Sequence, residues 1–127
     1  MSDSEAADSR TTVAELRELV NDFVDRRDWH QFHSPKNLAM SMAIETAELM
    51  EHFQWISMRE SREVADKPEQ LEAVSDELAD VACYLLAMAN ELNIDLSTAV
   101  RSKMEKNRRK YPSAEYRGRY GPEDEGA

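Results

Sequence analysis

The sequence predicts an all-α fold, a four-helix bundle completed by oligomerisation. Its 127 residues include only three glycines and four prolines, while the strong helix formers Ala, Leu, Glu, Met and Arg are abundant. Apolar residues recur at helical spacing in several segments, and capping residues or prolines stand where those segments begin. A chain of this length is expected to form one domain around one hydrophobic core.

The first predicted helix follows a polar N-terminal segment. Residues 1–10 are acidic and without periodicity, which predicts a disordered leader before a domain at residues 11–112. Thr11 or Thr12 is the expected N-cap, and the helix should end near Arg27. Its apolar stripe consists of Val13, Leu16, Leu19, Val20, Phe23 and Val24.

The second predicted helix begins after a short loop that is rich in aromatic and histidine side chains. Ser34 followed by Pro35 is typical of an N-cap and a first helical position. The helix is expected to run from about Pro35 to Ile56 or Ser57. Residues 58–67 carry charges of both signs and are predicted to form a connector.

Two further helices complete the predicted bundle. Pro68 should open the third, which runs to about Leu92. Asp95 should cap the fourth, which Pro112 ends. The remaining residues, 113–127, are predicted to form a tail that is ordered only against a neighbour.

Two pairs of acidic residues dominate the central helices. Glu45 and Glu48 are three residues apart in the second helix, and Glu77 and Asp80 are three residues apart in the third. Residues at this spacing share one helix face. Each helix would therefore present two carboxylates, and neighbouring helices would bring all four together.

These acids lie inside apolar stretches. Ion pairs or solvation explain most acidic residues on helices, but four facing carboxylates in a core-forming region repel one another and are costly to desolvate. A bound cation removes that cost. Oxygen-only ligands of high charge favour Mg²⁺, with Mn²⁺ as a possible substitute.

Composition excludes several classes of protein. The net charge is −10, which disfavours a nucleic-acid partner. The single cysteine, Cys83, excludes an intramolecular disulfide scaffold. Acids occupy the position of a signal-peptide core, and no run of 18 apolar residues occurs, which predicts a cytoplasmic protein that does not enter a membrane.

The fourth predicted helix is strongly basic. Lys103 and Asn107 share a face, and Tyr111 continues it, so one side offers a cation, an amide and a phenol to an anion. For Arg109 and its basic neighbours, the alternative is complementarity to the helix dipole, because cations stabilise a helix C-terminus.

Aromatic rings surround the predicted metal site. On a helical wheel, His52 and Trp55 share the face of Glu45 and Glu48, while Tyr84 shares that of Glu77 and Asp80. With Trp29, such rings could stack on a nucleobase, although large aromatics are more often core residues. His33 and His52 could contact a ligand or serve as structural histidines.

At this point the sequence resembles a known family, the MazG-like all-α nucleoside triphosphate pyrophosphohydrolases, and within it the branch that hydrolyses dCTP. The resemblance extends over residues 13–111. The motifs that carry it are Arg27-Asp28-Trp29-His30-Gln31-Phe32-His33, Pro35-Lys36-Asn37-Leu38, Glu45-x-x-Glu48, Phe53-Gln54-Trp55, Glu77-Leu78-x-Asp80-Val81, Tyr84, and Ser102-Lys103-Met104-x-x-Asn107-Arg108-Arg109-x-Tyr111-Pro112.

The resemblance implies a function and a set of site residues. It implies that four carboxylates hold Mg²⁺ and that water cleaves the nucleotide between its α- and β-phosphates. It also implies a base pocket that lies partly across a subunit boundary, in a homotetramer or homodimer. The metal ligands would be Glu45, Glu48, Glu77 and Asp80, and the substrate contacts Trp29, Gln31, His33, Asn37, Trp55, Tyr84, Lys103, Asn107, Arg109 and Tyr111. The vertebrate dCTP-specific members carry a histidine where this chain has Val20.

Several alternatives remain at this point. Glu48 is the predicted general base, with Glu45 as its competitor. A di-iron carboxylate bundle would need Glu-x-x-His pairs that the sequence lacks. A non-enzymatic helical interaction or regulatory module is the alternative function. Apolar residues on nearly every side of the second helix exceed what one small bundle can bury, which predicts a dimer or tetramer.

Overall fold

The computed structural model describes residues 6–119, and all its regular elements are helical. The chain divides into two compact units, the first ending at Asn93 and the second beginning at Ile94. The first unit holds α1 (Val13–Arg26), a 3₁₀ helix (His30–Phe32), α2 (Pro35–Glu51), α3 (Met58–Glu63), a second 3₁₀ helix (Val64–Asp66) and α4 (Pro68–Leu92). The second unit holds α5 (Leu96–Lys110) and α6 (Ser113–Tyr116).

The predicted helix starts are confirmed by their caps. The Thr12 hydroxyl accepts a hydrogen bond from the Glu15 N–H, and the Ser34 hydroxyl accepts one from the Asn37 N–H, both at 3.1 Å. The Asp95 carboxylate accepts one from the Thr98 N–H at 3.1 Å. Each bond satisfies a backbone donor that has no partner within its helix.

The predicted end of the second helix was wrong. α2 ends at Glu51, and its last turn tightens as the His52 N–H bonds to the Leu49 carbonyl. A new helix, α3, then starts from Ser57, which forms a reciprocal capping box with Glu60. The predicted connector thus contains a helix of its own, because this local cap competes with continuation of α2.

In the first unit, α2 packs along α4, and α1 packs against α4. Leu38 is the most deeply buried core residue, at 1% exposure. Arg17 fixes α1 to α4, donating to the Asn90 side chain at 3.0 Å and the Ala89 carbonyl at 3.1 Å. The Asn90 amide donates back to the Arg17 carbonyl at 3.0 Å. The other buried apolar residues are Val24, Val64, Leu86, Ala87 and Ala89.

The second unit is short. The rings of Tyr111 and Tyr116 meet edge to face, with centroids 5.1 Å apart, and Arg108 pairs with Glu105 on α5. The predicted tail therefore includes the helix α6, and its residues 120–127 lie outside the described part of the chain. Of the predicted leader, residues 1–5 also lie outside it, while the Arg10 N–H closes a turn onto the Ala7 carbonyl.

Large apolar side chains line the surface of the first unit. On α4, Leu71, Leu78, Leu85 and Leu92 recur every seven residues and are each between 38% and 57% exposed. On α2, Met40, Ile44 and Met50 are more than half exposed. Contiguous exposure of this kind marks interaction surfaces. No helix within residues 6–119 combines the length and apolar character needed to cross a membrane.

Candidate metal and nucleotide site

Three acidic side chains converge where α2 packs against α4. Glu45 and Glu48 project from α2 one turn apart, and Glu77 projects from α4. Each offers a carboxylate oxygen that lies within 4.8 Å of those of the other two. We refer to these three residues as the carboxylate cluster. The predicted convergence of acids from both helices is therefore present.

The cluster is partly withdrawn from solvent. Glu45 and Glu77 are half-buried, whereas Glu48 is exposed. The Oε2 atoms of Glu45 and Glu77 are buried and have no hydrogen-bond partner among the described residues. Buried polar atoms in folded proteins are normally satisfied. A cation bound between these two carboxylate oxygens would give both of them a partner.

Electrostatics support the same interpretation. Burial raises the pKa of Glu45 to about 7, reinforced by a hydrogen bond with Glu48 and by the charges of Glu48, Asp80 and Glu77. Burial also raises the pKa of Glu77, again with the charge of Glu48 contributing. The protein alone thus disfavours the fully ionised cluster. A divalent cation reverses this preference, and the all-oxygen donor set fits Mg²⁺ or Mn²⁺.

Asp80 lies one helical turn beyond Glu77 on α4. It is not among the three residues with oxygens within 4.8 Å of one another. Its charge nevertheless raises the pKa of both Glu45 and Glu77. Together with Glu45, it forms part of the wall of an adjoining cavity. Asp80 is therefore placed where the carboxylate cluster and the cavity meet.

This cavity has a volume of about 450 Å³ and lies within the first unit. Three of the predicted nucleotide contacts, Trp29, His33 and Tyr84, line it. The His33 Nδ1 atom is buried without a hydrogen-bond partner in the described chain. Apart from the acids Glu45 and Asp80, the remaining lining residues are apolar or small. They are Leu19, Val20, Phe23, Val24, Cys83 and Ala87. The cavity thus joins the acidic end of the site to an aromatic and apolar end.

A tight turn presents Trp29 to the cavity. Asp28 has a left-handed backbone with φ of 52°, a conformation that Asp tolerates better than most residues. The Trp29 N–H then donates to the Val24 carbonyl at 3.0 Å. The indole meets the Phe23 ring edge to face, with centroids 5.7 Å apart. These contacts fix the ring at the cavity wall.

Comparison with known proteins identifies the family. The model of the MazG-like family matches residues 40–120, well over half of the chain. The chain belongs to the MazG-like family.

Relatives of this MazG-like chain include the dCTP pyrophosphatase 1 of Rattus norvegicus. It is 44% identical over 101 residues, which are 80% of this chain and 59% of the rat protein. The dCTP pyrophosphatase 1 of Homo sapiens is 42% identical over 102 residues, 80% of this chain and 60% of the human protein. The chain therefore spans about three fifths of the length of these curated relatives.

Among solved structures, a pyrophosphatase from Archaeoglobus fulgidus resembles this chain. The two share 46% sequence identity with a TM-score of 0.72, over 78% of this chain and 91% of the archaeal one. The predicted all-α, MazG-like fold is confirmed.

Two other predicted substrate contacts, Gln31 and Asn37, stabilise the loop at residues 28–34, which we call the aromatic loop. The Gln31 amide donates to the Asp28 carbonyl at 3.0 Å. The Asn37 amide donates to the Phe32 carbonyl at 3.1 Å. In this structure both side chains stabilise the loop from which Trp29 and His33 reach the cavity.

The predicted placement of Trp55 on the face of Glu45 was wrong. α2 ends at Glu51 with His52 as its C-cap, so Trp55 does not continue its helical wheel. Trp55 lies in the turn between α2 and α3 and is 87% exposed. In this chain, Trp55 does not line the cavity.

The predicted phosphate contacts of the basic helix lie in the second unit. Lys103, Asn107 and Arg109 project from α5, and Tyr111 is its C-cap. Asn107 is half-buried, and its amide lies 3.8 Å from the Met104 sulfur. Their contact with a nucleotide stays a prediction.

Sequence reasoning missed part of the cavity wall. Leu19, Phe23 and Val24 belong to the apolar stripe of α1, which was not assigned to a site. Cys83 also lines the cavity, and burial, followed by the charge of Asp80, raises the pKa of its thiol. An apolar stripe has the same periodicity whether it faces a core or a cavity, so no sequence signal separated the two.

Proposed function

We propose that this chain is a divalent-metal-dependent nucleoside triphosphate pyrophosphohydrolase that removes dCTP, or a modified dCTP, from the nucleotide pool. The observation that carries the proposal is the carboxylate cluster opening onto a cavity lined by Trp29, His33 and Tyr84. The products would be a nucleoside monophosphate and pyrophosphate. Relatives named dCTP pyrophosphatase 1 support the same reaction and base.

The acidic residues would hold the metal. Glu45, Glu48 and Glu77, with Asp80 beside them, would ligate Mg²⁺, and Mn²⁺ could substitute for it. When bound, the metal supplies positive charge that stabilises the triphosphate in the transition state. Because burial raises the pKa of Glu45 and Glu77, a bound cation would also favour their ionised forms, which links nucleotide hydrolysis to metal binding.

Glu48 is our proposed general base. It is the exposed member of the carboxylate cluster, so water can approach it. A general base must lie within hydrogen-bond distance of the water whose proton it accepts. Glu48 would accept a proton from the water as the water oxygen attacks the α-phosphorus. The bond from that phosphorus to the bridging oxygen breaks, and pyrophosphate leaves with the electron pair. Glu45, whose pKa is raised to about 7, is the alternative base.

The aromatic end of the cavity would hold the base. The indole of Trp29 offers a flat face for stacking, and Tyr84 lies on the same cavity wall. The buried Nδ1 of His33, which has no hydrogen-bond partner within residues 6–119, can exchange a hydrogen bond with a polar edge of the base. An unpaired polar atom of this kind discriminates strongly between ligands that satisfy it and ligands that do not.

We further propose a homodimer or homotetramer in which the site is completed by a neighbouring subunit. Trp55 is 87% exposed, and leucines recur along the surface of α4, so the isolated chain leaves a large apolar surface in water. Trp55, Lys103, Asn107, Arg109 and Tyr111 are candidates for contacts across such a boundary. We place the activity in the cytoplasm, among the nucleotides that it would hydrolyse.

A nucleotide panel tests the proposal. Standard and 5-modified nucleoside triphosphates are incubated with Mg²⁺, and pyrophosphate and orthophosphate are measured separately. We expect pyrophosphate and monophosphate from cytosine deoxynucleotides, and neither product from the Glu77→Gln variant or with EDTA. Failure to hydrolyse any nucleotide with Mg²⁺ or Mn²⁺ would contradict the proposal and favour a non-enzymatic helical interaction module.

A further inference from the structure

We propose that His30 is a positioning residue that anchors the Trp29–His33 loop to the end of α4 and thereby sets the affinity of the cavity for nucleotide. The affinity part of this inference rests on the proposed function. The anchoring part concerns the free protein alone. Nothing in the catalytic arrangement described above uses His30.

The imidazole of His30 lies between two carboxylates. Its Nδ1 atom is 2.6 Å from Oε1 of Glu91, in the last turn of α4. Its Nε2 atom is 3.6 Å from Oδ1 of Asp25, near the end of α1. The Glu91 side chain is 23% exposed and that of Asp25 is 72% exposed. The shorter and better shielded contact is therefore the one with α4.

The number of N–H groups on the His30 ring makes Glu91 its main hydrogen-bond partner. A neutral imidazole carries one N–H and can donate to only one carboxylate, whereas an imidazolium donates to both. The bond to Glu91 can form in either state, while simultaneous donation to Asp25 requires the charged ring. The 3.6 Å separation from Asp25 is also too long for a strong hydrogen bond.

The helical turn that carries Glu91 is held by hydrogen bonds to α1. Its neighbour Asn90 exchanges hydrogen bonds with Arg17 of α1, at 3.0 Å in each direction. Ala89, one residue earlier, is buried and accepts another bond from Arg17. The end of α4 is therefore held in place independently of the loop, and His30 attaches the loop to it.

The loop connects His30 to two residues that line the cavity, Trp29 and His33. Trp29 precedes His30 in the chain, and the His33 N–H donates to the His30 carbonyl at 3.1 Å. The rings of Trp29 and His33 lie 6.5 Å apart, and both line the cavity. Since α4 also carries Glu77, Asp80 and Tyr84, the His30–Glu91 bond fixes both walls of the cavity to one helix.

Steady-state kinetics with dCTP and Mg²⁺ test the affinity part. We expect KM to rise about tenfold in His30→Ala, the loss typical of a charge-assisted hydrogen bond, while kcat changes less than about twofold. His30→Gln, whose amide can still donate to Glu91, should restore part of the affinity. Glu91→Ala should match His30→Ala, and the double variant should be no worse than either. Glu72→Gln, on an exposed position of α4, is the charge control.

Tryptophan fluorescence tests the anchoring part without nucleotide. The chain contains two tryptophans, so Trp55→Phe leaves Trp29 as the sole reporter. In this background, acrylamide should quench Trp29 more strongly after His30→Ala or Glu91→Ala, but not after Glu72→Gln. Thermal unfolding confirms that each variant is folded.

The two tests separate the possible failures. Unchanged Trp29 quenching in both His30→Ala and Glu91→Ala would overturn the proposal, as would a fall in kcat with KM unchanged. If no variant and no wild-type protein hydrolyses nucleotide, the proposed function fails. Increased quenching would then still support His30 as the anchor of the loop.

Discussion

Glu45 and Glu77 face each other from α2 and α4, and each buries its Oε2 atom without a hydrogen-bond partner among the described residues. Two ionised carboxylates in this arrangement destabilise the fold unless positive charge lies between them. Folding and protonation are thus coupled at this point, and a bound cation would be coupled to both.

The stability of the metal-free protein should fall as pH rises. The pKa of Glu45 is raised from its ordinary value of 4.5 to about 7, so the folded state binds more protons than the unfolded state between these values. Its contribution is fully present below pH 4.5 and is lost as pH rises through about 7. In EDTA, the thermal midpoint should therefore decrease from about pH 5 to about pH 8.

Glu45→Gln is the control for this pH dependence, since it removes the titrating group. Its midpoint should decrease less over the same range. Added Mg²⁺ should stabilise the wild-type protein more at about pH 8 than at about pH 5, because ligation requires ionised carboxylates. Identical pH profiles for the wild type and Glu45→Gln would show that Glu45 does not control this behaviour.

Glu48→Gln should greatly reduce turnover. The amide keeps the shape of the side chain but cannot accept the proton of the attacking water, so we expect kcat to fall by roughly 10²- to 10⁴-fold. Pyrophosphate release at saturating Mg²⁺ measures the effect. The residue is exposed, so the variant should remain folded. Near-normal hydrolysis would refute the assignment of Glu48 and favour Glu45 as the base.

Both Glu77→Gln and Asp80→Asn should weaken metal binding. A ligand that binds only the native state raises the thermal midpoint by mass action, so Mg²⁺ titrations followed by thermal unfolding report the affinity. Asp76→Asn, an exposed position on the same helix, makes the same charge change away from the cluster. An Asp80→Asn variant that behaves like Asp76→Asn would limit the site to three carboxylates.

The exposed leucines of α4 should form a subunit interface. Leu78 is 57% exposed and is the most exposed of the four that recur every seven residues. Leu78→Glu should shift the protein from a dimer or tetramer to a monomer at micromolar concentration, as measured by analytical ultracentrifugation. Gln70→Glu adds the same charge on an exposed position of α4 and should leave the assembly intact. A wild-type monomer at this concentration would contradict the proposed oligomer.

Local signals predicted the helix starts well, since Thr12, Ser34 and Asp95 act through hydrogen bonds within one turn. The end of α2 was harder to predict, because no glycine or proline marks it. The decisive signal was the capping box of Ser57 and Glu60, which begins the next helix.

Part of the candidate site was also predictable from local signals. Spacing alone placed Glu45, Glu48 and Glu77 on facing helices, because the helical period fixes which residues share a face. The cavity depends instead on how α1, the aromatic loop and α4 meet. The contact of His30 with Glu91, 61 residues apart in the chain, is of this kind, and no periodicity within one helix indicates it.

A crystal structure with Mn²⁺ and a non-hydrolysable dCTP analogue, with anomalous scattering measured for the metal, tests the central claim most directly. We predict an anomalous peak bonded to oxygens of Glu45, Glu48 and Glu77 at about 2.0–2.3 Å, with the triphosphate against it and the base beside Trp29. A peak located elsewhere on the protein, or no peak at saturating Mn²⁺, would contradict the claim.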